Sequence, residues 1–336
     1  MTQSKRTTAP LIIGHEGARG LLRVSLSADR PSRAYLFTGP PRVGKTTLAL
    51  YVARALNCLE ETNRPCGVCH SCDRIGRNAH PDVRILDEQG GSIKIGQIRE
   101  IQRDLALSPF EGRWKVHVLC DFQNATIEAS NCLLKTLEEP PRRAVIILTA
   151  SDSDSLLPTI VSRCQVFPLR PLPLAQTERS LEEDWGVEPA QAQLLSRLSE
   201  GRIGWAIEAA SNDSLLRGRE KYLLAMEQAM QHGIVGRMGL AHQLGQNSQA
   251  VPEMLELWRG WWRDMLMAKS GNGHLISCVD RQETIRAEAQ HHTLHEVCGF
   301  LRSIQNAADQ VNQNVSPVLV LEVLLLGLPR PLIRTI

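Results

Sequence analysis

Between residues 11 and 168, short continuous apolar runs alternate with stretches whose apolar positions recur at the spacing of one helix face. The runs at 34–38, 83–86, 116–119, 145–149 and 165–168 predict strands, and the stretches at 45–56, 95–107, 127–137 and 157–163 predict helices. Strands that are apolar throughout and separated by helices describe a parallel sheet covered on both faces, because each parallel connection has to cross over through a helix. The segment PLRPLPLA, beginning at Pro168, then breaks the pattern with three prolines and marks a domain boundary. From about 174 to 212 the chain is helical, with the glycine-containing stretch SEGRIGWAIEAA. Beyond 213 no strand stands out, and 217–231, 254–269, 280–289, 294–313 and 317–328 all carry helical spacing. An α/β domain followed by all-α structure is the expectation.

Composition narrows the picture. A chain of 336 residues, 43% hydrophobic and 22% charged, has enough apolar material for two or three cored domains and is not disordered. A net charge of +2 is too small to argue for nucleic acid as a dominant partner, so any DNA contact would be local or shared with other subunits. The N-terminal MTQSKRTTAP lacks the apolar core of a signal peptide. The most apolar run, 318–328, is interrupted by Glu322 and is shorter than the roughly 20 residues a bilayer needs. A soluble cytoplasmic protein with no membrane contact and reduced cysteines is expected.

Two motifs carry chemistry. Gly39-Pro-Pro-Arg-Val-Gly44-Lys45-Thr46 fits G-x-x-x-x-G-K-[ST] in full, between an apolar run and a helical stretch. Glycines let backbone N–H groups converge on phosphates, and the following helix adds its positive N-terminus. Lys45 would reach the β/γ oxygens, Thr46 would hold Mg²⁺, and Thr47 follows in the same first turn. The loop predicts ATP or ADP binding. The second motif is Cys58, Cys66, Cys69 and Cys72, spaced C-x7-C-x2-C-x2-C, a set that closes a tetrahedral, structural Zn²⁺ site. His70 is a weaker substitute ligand. The alternative, four small buried hydrophobes, fits poorly with the Pro/Gly/His/Ser-rich RPCGVCHSC loop. Cys120, Cys132, Cys164, Cys278 and Cys298 lie alone in apolar patterns and are expected in the core.

A phosphate loop followed by a cysteine loop in one α/β domain is joined by NCLLKTLEEPP from Asn131 and LLPTIVSRCQ from Leu156. Together these resemble the bacterial clamp-loader AAA+ subunits. IIGHEGARGLL at 12–22 is similar to the family's N-terminal segment beside the adenine, and NVSPVLVLEVLLLGLP to the closing helix of its collar. The resemblance implies an AAA+ P-loop domain over 1–170 with a zinc module at about 58–80, a small helical lid at 171–212 and a helical oligomerisation collar at 213–336. It implies assembly with gamma/tau and delta subunits in a hetero-pentameric ring that handles a sliding clamp and primer–template DNA. Within the family the delta-prime type is favoured over the gamma/tau ATPase type by the wording around Ser162-Arg163-Cys164 and by Gly204 at the ATPase subunit's sensor-arginine position. The absence of a long extension after the collar is a weaker argument, since gamma lacks one too.

An active family member follows its third strand with Asp-Glu, the first for Mg²⁺ and the second for the attacking water. Here the sequence reads KVHVLCDFQNA. Either Cys120 and Asp121 occupy the two places, or the register slips and Asp121 and Phe122 do; both leave one carboxylate missing and predict weak or absent hydrolysis. Family resemblance makes Arg163 an arginine finger for a neighbour's ATP site, whereas the residues alone allow it to cap and salt-bridge a helix end. Trp258, Trp261 and Trp262 are at the spacing of a core or an interface rather than on a base-stacking platform. Glu138 and Glu139 end a helix and are structural, EGRWK at 111–115 is a solvated turn, and His291, His292 and His295 form no metal pair. A gamma/tau-type ATPase, or a stand-alone zinc-containing DNA-binding protein, are the competing functions; the near-zero charge disfavours the last.

Overall fold

The computed structural model describes residues 12–27, 31–62, 64–88, 91–313 and 315–329. The decapeptide that argues against a signal peptide lies outside these residues, as does the end of the chain from 330. The chain gathers into two units, one comprising the residues up to Gln176 with Gly201–Trp205, the other Thr177–Glu200 with the residues from Ala206 onward.

In the first unit, α1 (Glu16–Ser27), β1 (Ala34–Thr38), α2 (Lys45–Asn57), α3 (His70–Gly76), β2 (Val83–Leu86), α4 (Ile95–Leu105), β3 (Lys115–Leu119), α5 (Ile127–Glu138), β4 (Ala144–Ala150), α6 (Pro158–Val161) and β5 (Gln165–Pro168) follow one another. The sheet is wholly parallel, in the order β2-β3-β4-β1-β5. Leu36 of β1 faces Leu148 of β4 on one side and Val166 of β5 on the other. The two-residue alternation divides the core. Tyr35, Phe37, Val116, Val118, Val145 and Ile147 pack under Leu22, Leu48, Val52 and Ile75 from α1, α2 and α3. Leu36, Ile146 and Leu148 pack on Ile98, Ile101, Leu133 and Ile160 from α4, α5 and α6. Because β1 lies between β4 and β5, the chain changes direction across the sheet at β1, and the crevice at the carboxyl ends of the strands there is the natural ligand position. The 39–46 loop leaves β1 at that point.

The remaining helices are α7 (Leu174–Trp185), α8 (Pro189–Ser199), α9 (Ile203–Ser211), α10 (Asp213–Gln231), α11 (Ile234–Gly245), α12 (Val251–Lys269), α13 (Gln282–Gln290), α14 (Leu294–Asn312) and α15 (Pro317–Leu326). Their core is built round Trp258, Trp261 and Trp262, all fully buried. Trp258 donates its indole N–H to the Tyr222 carbonyl at 2.9 Å, and Trp262 lies 4.5 Å from the Phe300 ring. The tryptophans are core, as their spacing predicts. No helix among the described residues is long and apolar enough to cross a membrane.

Several expectations need correction. The helix expected at 157–163 is only Pro158–Val161, so Arg163 lies beyond its end. Helices α1, α3 and α11 were not predicted; α11 carries three glycines, and a Cβ at Gly245 would stand 2.7 Å from Val318 Cα, so close packing on α15 accounts for one of them. Of the five isolated cysteines, Cys120 is buried in the core and Cys132, Cys164 and Cys278 are half-buried against it, as expected, while Cys298 is half-buried outside those clusters. EGRWK is a turn but a tethered one. The Asp82 carboxylate accepts the N–H groups of Phe110, Glu111 and Gly112 at 2.7, 2.9 and 2.7 Å, and Lys115 is buried in β3 against Asp104 at 3.0 Å.

Candidate functional site

The 39–46 loop has the backbone its glycines require. Gly39, at φ 147°, donates its N–H to the Ala150 and Ser151 carbonyls, and a Cβ there would stand 2.4 Å from the Leu169 carbonyl oxygen. Gly44, at φ 110°, turns the chain into α2, and Arg42 adopts a left-handed φ of 62°. Lys45 is buried and curls back over its own loop, donating to the carbonyls of Gly39 at 2.7 Å and Pro40 at 3.1 Å. Burial lowers its pKa, offset in part by the nearby Asp121 carboxylate. Thr46 is exposed in the first turn of α2, with Thr47 half-buried beside it. The loop is therefore a preformed cradle with one cation and a helix N-terminus, the arrangement phosphates need.

At the metal position the fit is poorer. Cys120 follows β3 and joins the core face under α2, where its sulfur lies 3.8 Å from the Thr46 hydroxyl. Burial pushes its thiol up to about 11. Asp121 is in a left-handed conformation, φ 46°, and its N–H donates to the Thr149 hydroxyl at 2.9 Å. Phe122 is buried in the opposite core face, with α4 and α5. A thiol beside Thr46 is a poor partner for Mg²⁺, which prefers oxygen ligands.

Three contacts in and beside the loop went unread in the sequence. His15 Nε2 lies 3.1 Å from the Val43 carbonyl, bringing the 12–22 segment onto the loop. Thr149 is a lone polar residue in the otherwise apolar strand AVIILTA, which was the available signal. Gly204 donates its N–H to the Arg42 carbonyl at 2.9 Å, and a Cβ on Gly204 would stand 2.7 Å from that oxygen. No side chain fits at 204 in this arrangement.

Cys58, Cys66, Cys69 and Cys72 come together, their sulfurs all within 4.8 Å of one another, and His70 is outside the cluster. Cys58 caps the C-terminus of α2 and Cys69 the N-terminus of α3. Backbone N–H groups of Cys66, Cys69 and Cys72 point at the sulfurs of Cys58, Cys66 and Cys69 at 3.4, 3.3 and 3.5 Å. Burial alone would raise the Cys69 thiol, but the N–H groups of Leu59 and Cys72, together with the neighbouring Cys72 and Cys66 thiols, outweigh it and bring it down to about 7. Burial raises Cys58 and Cys72. Four convergent sulfurs with their own N–H donors fit a closed tetrahedral ion such as Zn²⁺.

Arg163 lies exposed after α6. Its guanidinium donates to the Thr159 carbonyl at 2.8 Å and to the Glu138 carboxylate at 2.5 Å. Glu138 is thus its partner at the end of α5, and Glu139 caps that helix.

The family model described as "DNA polymerase III, delta subunit" matches residues 14–173. Over 318 residues, 92% of this chain and 94% of the relative, the sequence is 32% identical to the DNA polymerase III subunit delta' of Bacillus subtilis. The chain belongs to the delta-prime family of bacterial DNA polymerase III clamp-loader subunits. The tau subunit of Escherichia coli is 35% identical over 198 residues, 57% of this chain but 31% of tau. A gamma-subunit-related protein from Thermotoga maritima aligns structurally over 93% of this chain and 97% of its own, with a TM-score of 0.47 at 20% identity.

Proposed function

We propose that this delta-prime-type subunit joins gamma/tau and delta subunits in a hetero-pentameric ring that places the sliding clamp on primer–template DNA. It binds ATP or ADP at the 39–46 loop and turns it over weakly or not at all. One observation carries the second part: the Thr46 hydroxyl meets the Cys120 sulfur at 3.8 Å. That contact favours the register in which Cys120 takes the metal-acid place and Asp121 the base place. Phosphoryl transfer depends on positioned charge, so loss of the metal acid removes the cation that offsets charge on the phosphates. The absent arginine at 204 points the same way. Zn²⁺ at the four cysteines is structural, since no coordination position is left for a substrate. Functionally we divide the chain into the AAA+ domain over 1–170, the lid over 171–212 and the collar over 213–336.

Arg163 serves a neighbour's ATP in this reading. What supports it is the SRC segment, together with a position beyond a four-residue helix where the guanidinium is partly exposed. Its pairing with Glu138 is a surface ion pair, worth at most about 1 kcal/mol and readily exchanged for a phosphate. The test is a reconstituted loader. Arg163→Ala should leave assembly intact and lower DNA-stimulated ATPase. A finger supplied in trans is worth roughly 10³–10⁵ in well-studied cases, and the steady-state loss is smaller because the other sites keep their own arginines. Lys45→Ala should change turnover of the complex little. If Lys45→Ala abolishes it while Arg163→Ala does nothing, the chain is a gamma/tau-type ATPase. The intact loop and the identity to tau favour that second reading. A rate above about 1 s⁻¹ from the isolated chain would also select it.

A further inference from the structure

The two halves of the 39–46 site are built to different standards. The phosphate half is complete: loop glycines at positive φ, a buried Lys45 and the N-terminus of α2 are all in place. The cation half is not. Mg²⁺ demands near-octahedral oxygen ligation at about 2.0–2.1 Å and is usually anchored by one or two carboxylates. Beside the Thr46 hydroxyl, the strand end supplies the sulfur of Cys120 instead. Burial holds that thiol in its neutral form at physiological pH, since its pKa is raised to about 11. Two carboxylates, Asp87 and Asp121, act on that thiol from nearby, but neither replaces its sulfur beside Thr46; Asp121 also acts on the Lys45 ammonium, and its backbone is turned and tied to Thr149.

We propose that this loop is a nucleotide site that works without Mg²⁺, and that Cys120 is the residue that makes it so. The inference rests on the nucleotide reading above and deepens it by naming the form of nucleotide that binds. Metal-free ADP or ATP is the ligand, its phosphate charge met by Lys45 and the converging N–H groups rather than by a bridging cation. Nucleotide then serves as a fixed part of the folded subunit, and the site has no place for the metal-bridged phosphates on which turnover depends.

Isothermal titration of ADP into the full-length, metal-loaded chain tests this, in chelator-free buffer with and without Mg²⁺, so that the cysteine-bound ion stays in place. The expected result is a Kd that agrees within about threefold between the two buffers. Binding more than about tenfold tighter in Mg²⁺ overturns the inference and leaves the nucleotide reading standing. No binding in either buffer overturns both. Cys120→Asp restores an oxygen ligand beside Thr46, and the folded variant should gain about tenfold in ADP affinity from Mg²⁺ where the parent gains none. A folded Cys120→Asp chain that stays indifferent to Mg²⁺ overturns the assignment to Cys120. Far-UV circular dichroism establishes the fold, and if the variant does not fold the parent's own two titrations decide.

Discussion

Replacing Gly204 by alanine sets two calculable effects against each other. Gly204 lies in the first turn of α9, and glycine inside a helix costs about 1 kcal/mol relative to alanine, so propensity alone predicts a gain. The new methyl, however, would stand 2.7 Å from the Arg42 carbonyl oxygen, a backbone atom that cannot rotate out of the way. Overpacking of that kind costs about 1–3 kcal/mol. Moving the helix off the loop also breaks the 2.9 Å bond from the Gly204 N–H, worth about another 1 kcal/mol. The steric side wins, with a net loss of about 1–3 kcal/mol. For a unit of this size each kcal/mol moves the melting point by about 2–4 °C, so Gly204→Ala should melt several degrees lower. ADP affinity should fall with it, because Arg42 is part of the phosphate loop itself. Thermal unfolding and ADP titration of the same preparation measure both. An alanine variant that melts higher and binds ADP as well as the parent would mean that propensity decides and the Gly204–Arg42 contact does not hold the loop. The same clash meets Gly204→Arg, so installing an arginine there should not raise turnover.

Purified protein should carry about one Zn²⁺ per chain, and Cys69→Ser should lose it with local unfolding round 58–80 while the sheet signal in circular dichroism remains. Protein never exposed to chelator that shows no zinc by elemental analysis would end the assignment. A pH prediction comes from His292, which is buried against Trp262 with neither ring nitrogen hydrogen-bonded. Burial lowers its pKa from 6.5; the Glu288 and Glu296 charges only partly oppose this, and His291 and Lys269 add to it. The unfolded chain therefore takes up a proton first, and stability is complete above 6.5 and falls as the pH drops through the folded value. His292→Phe should flatten the urea midpoint between about pH 7 and pH 5, and an unchanged slope would show that His292 does not titrate on unfolding.

Much of this architecture was legible because its signals are local. All five strands match the expected runs within one residue at each end: β1, β3 and β4 are buried along their whole length, while the edge strands β2 and β5 are partly exposed but still carry short apolar runs. The phosphate loop and the cysteine cluster were readable as spacings. What escaped depends on partners distant in sequence. His15 meets Val43, Thr149 meets Asp121 and Gly204 meets Arg42, and in none of these does either residue identify its partner from its own surroundings. Arg163 shows the limit from the other side: the chain by itself pairs it with Glu138, the very helix-end salt bridge its chemistry allowed. Helix α11 was missed because glycine reads locally as a helix breaker, whereas Gly245 is there to admit Val318.

The cysteine cluster and the phosphate loop are mechanically one object. Helix α2 begins at Lys45 and ends at Asn57, with Cys58 as its cap; its 13 residues span about 20 Å. Strand β3 runs back from Lys115 to Leu119, about 17 Å, and delivers Cys120 to Thr46. At the far end the two are tied by a reciprocal pair: the Asn57 side-chain amide donates to the Trp114 carbonyl at 3.0 Å, and the Trp114 N–H donates back at 2.9 Å. Arg113 adds a bond to the Cys58 carbonyl itself. Helix and strand therefore form a closed frame, bridged at one end beside the cysteines and at the other beside the phosphate loop. A metal ion held by the four cysteines would fix the helix cap, and with it the register in which Cys120 faces Thr46. Frame geometry gives the four cysteines a structural role: they close the end of the frame opposite the 39–46 loop and so bear on the shape that loop presents.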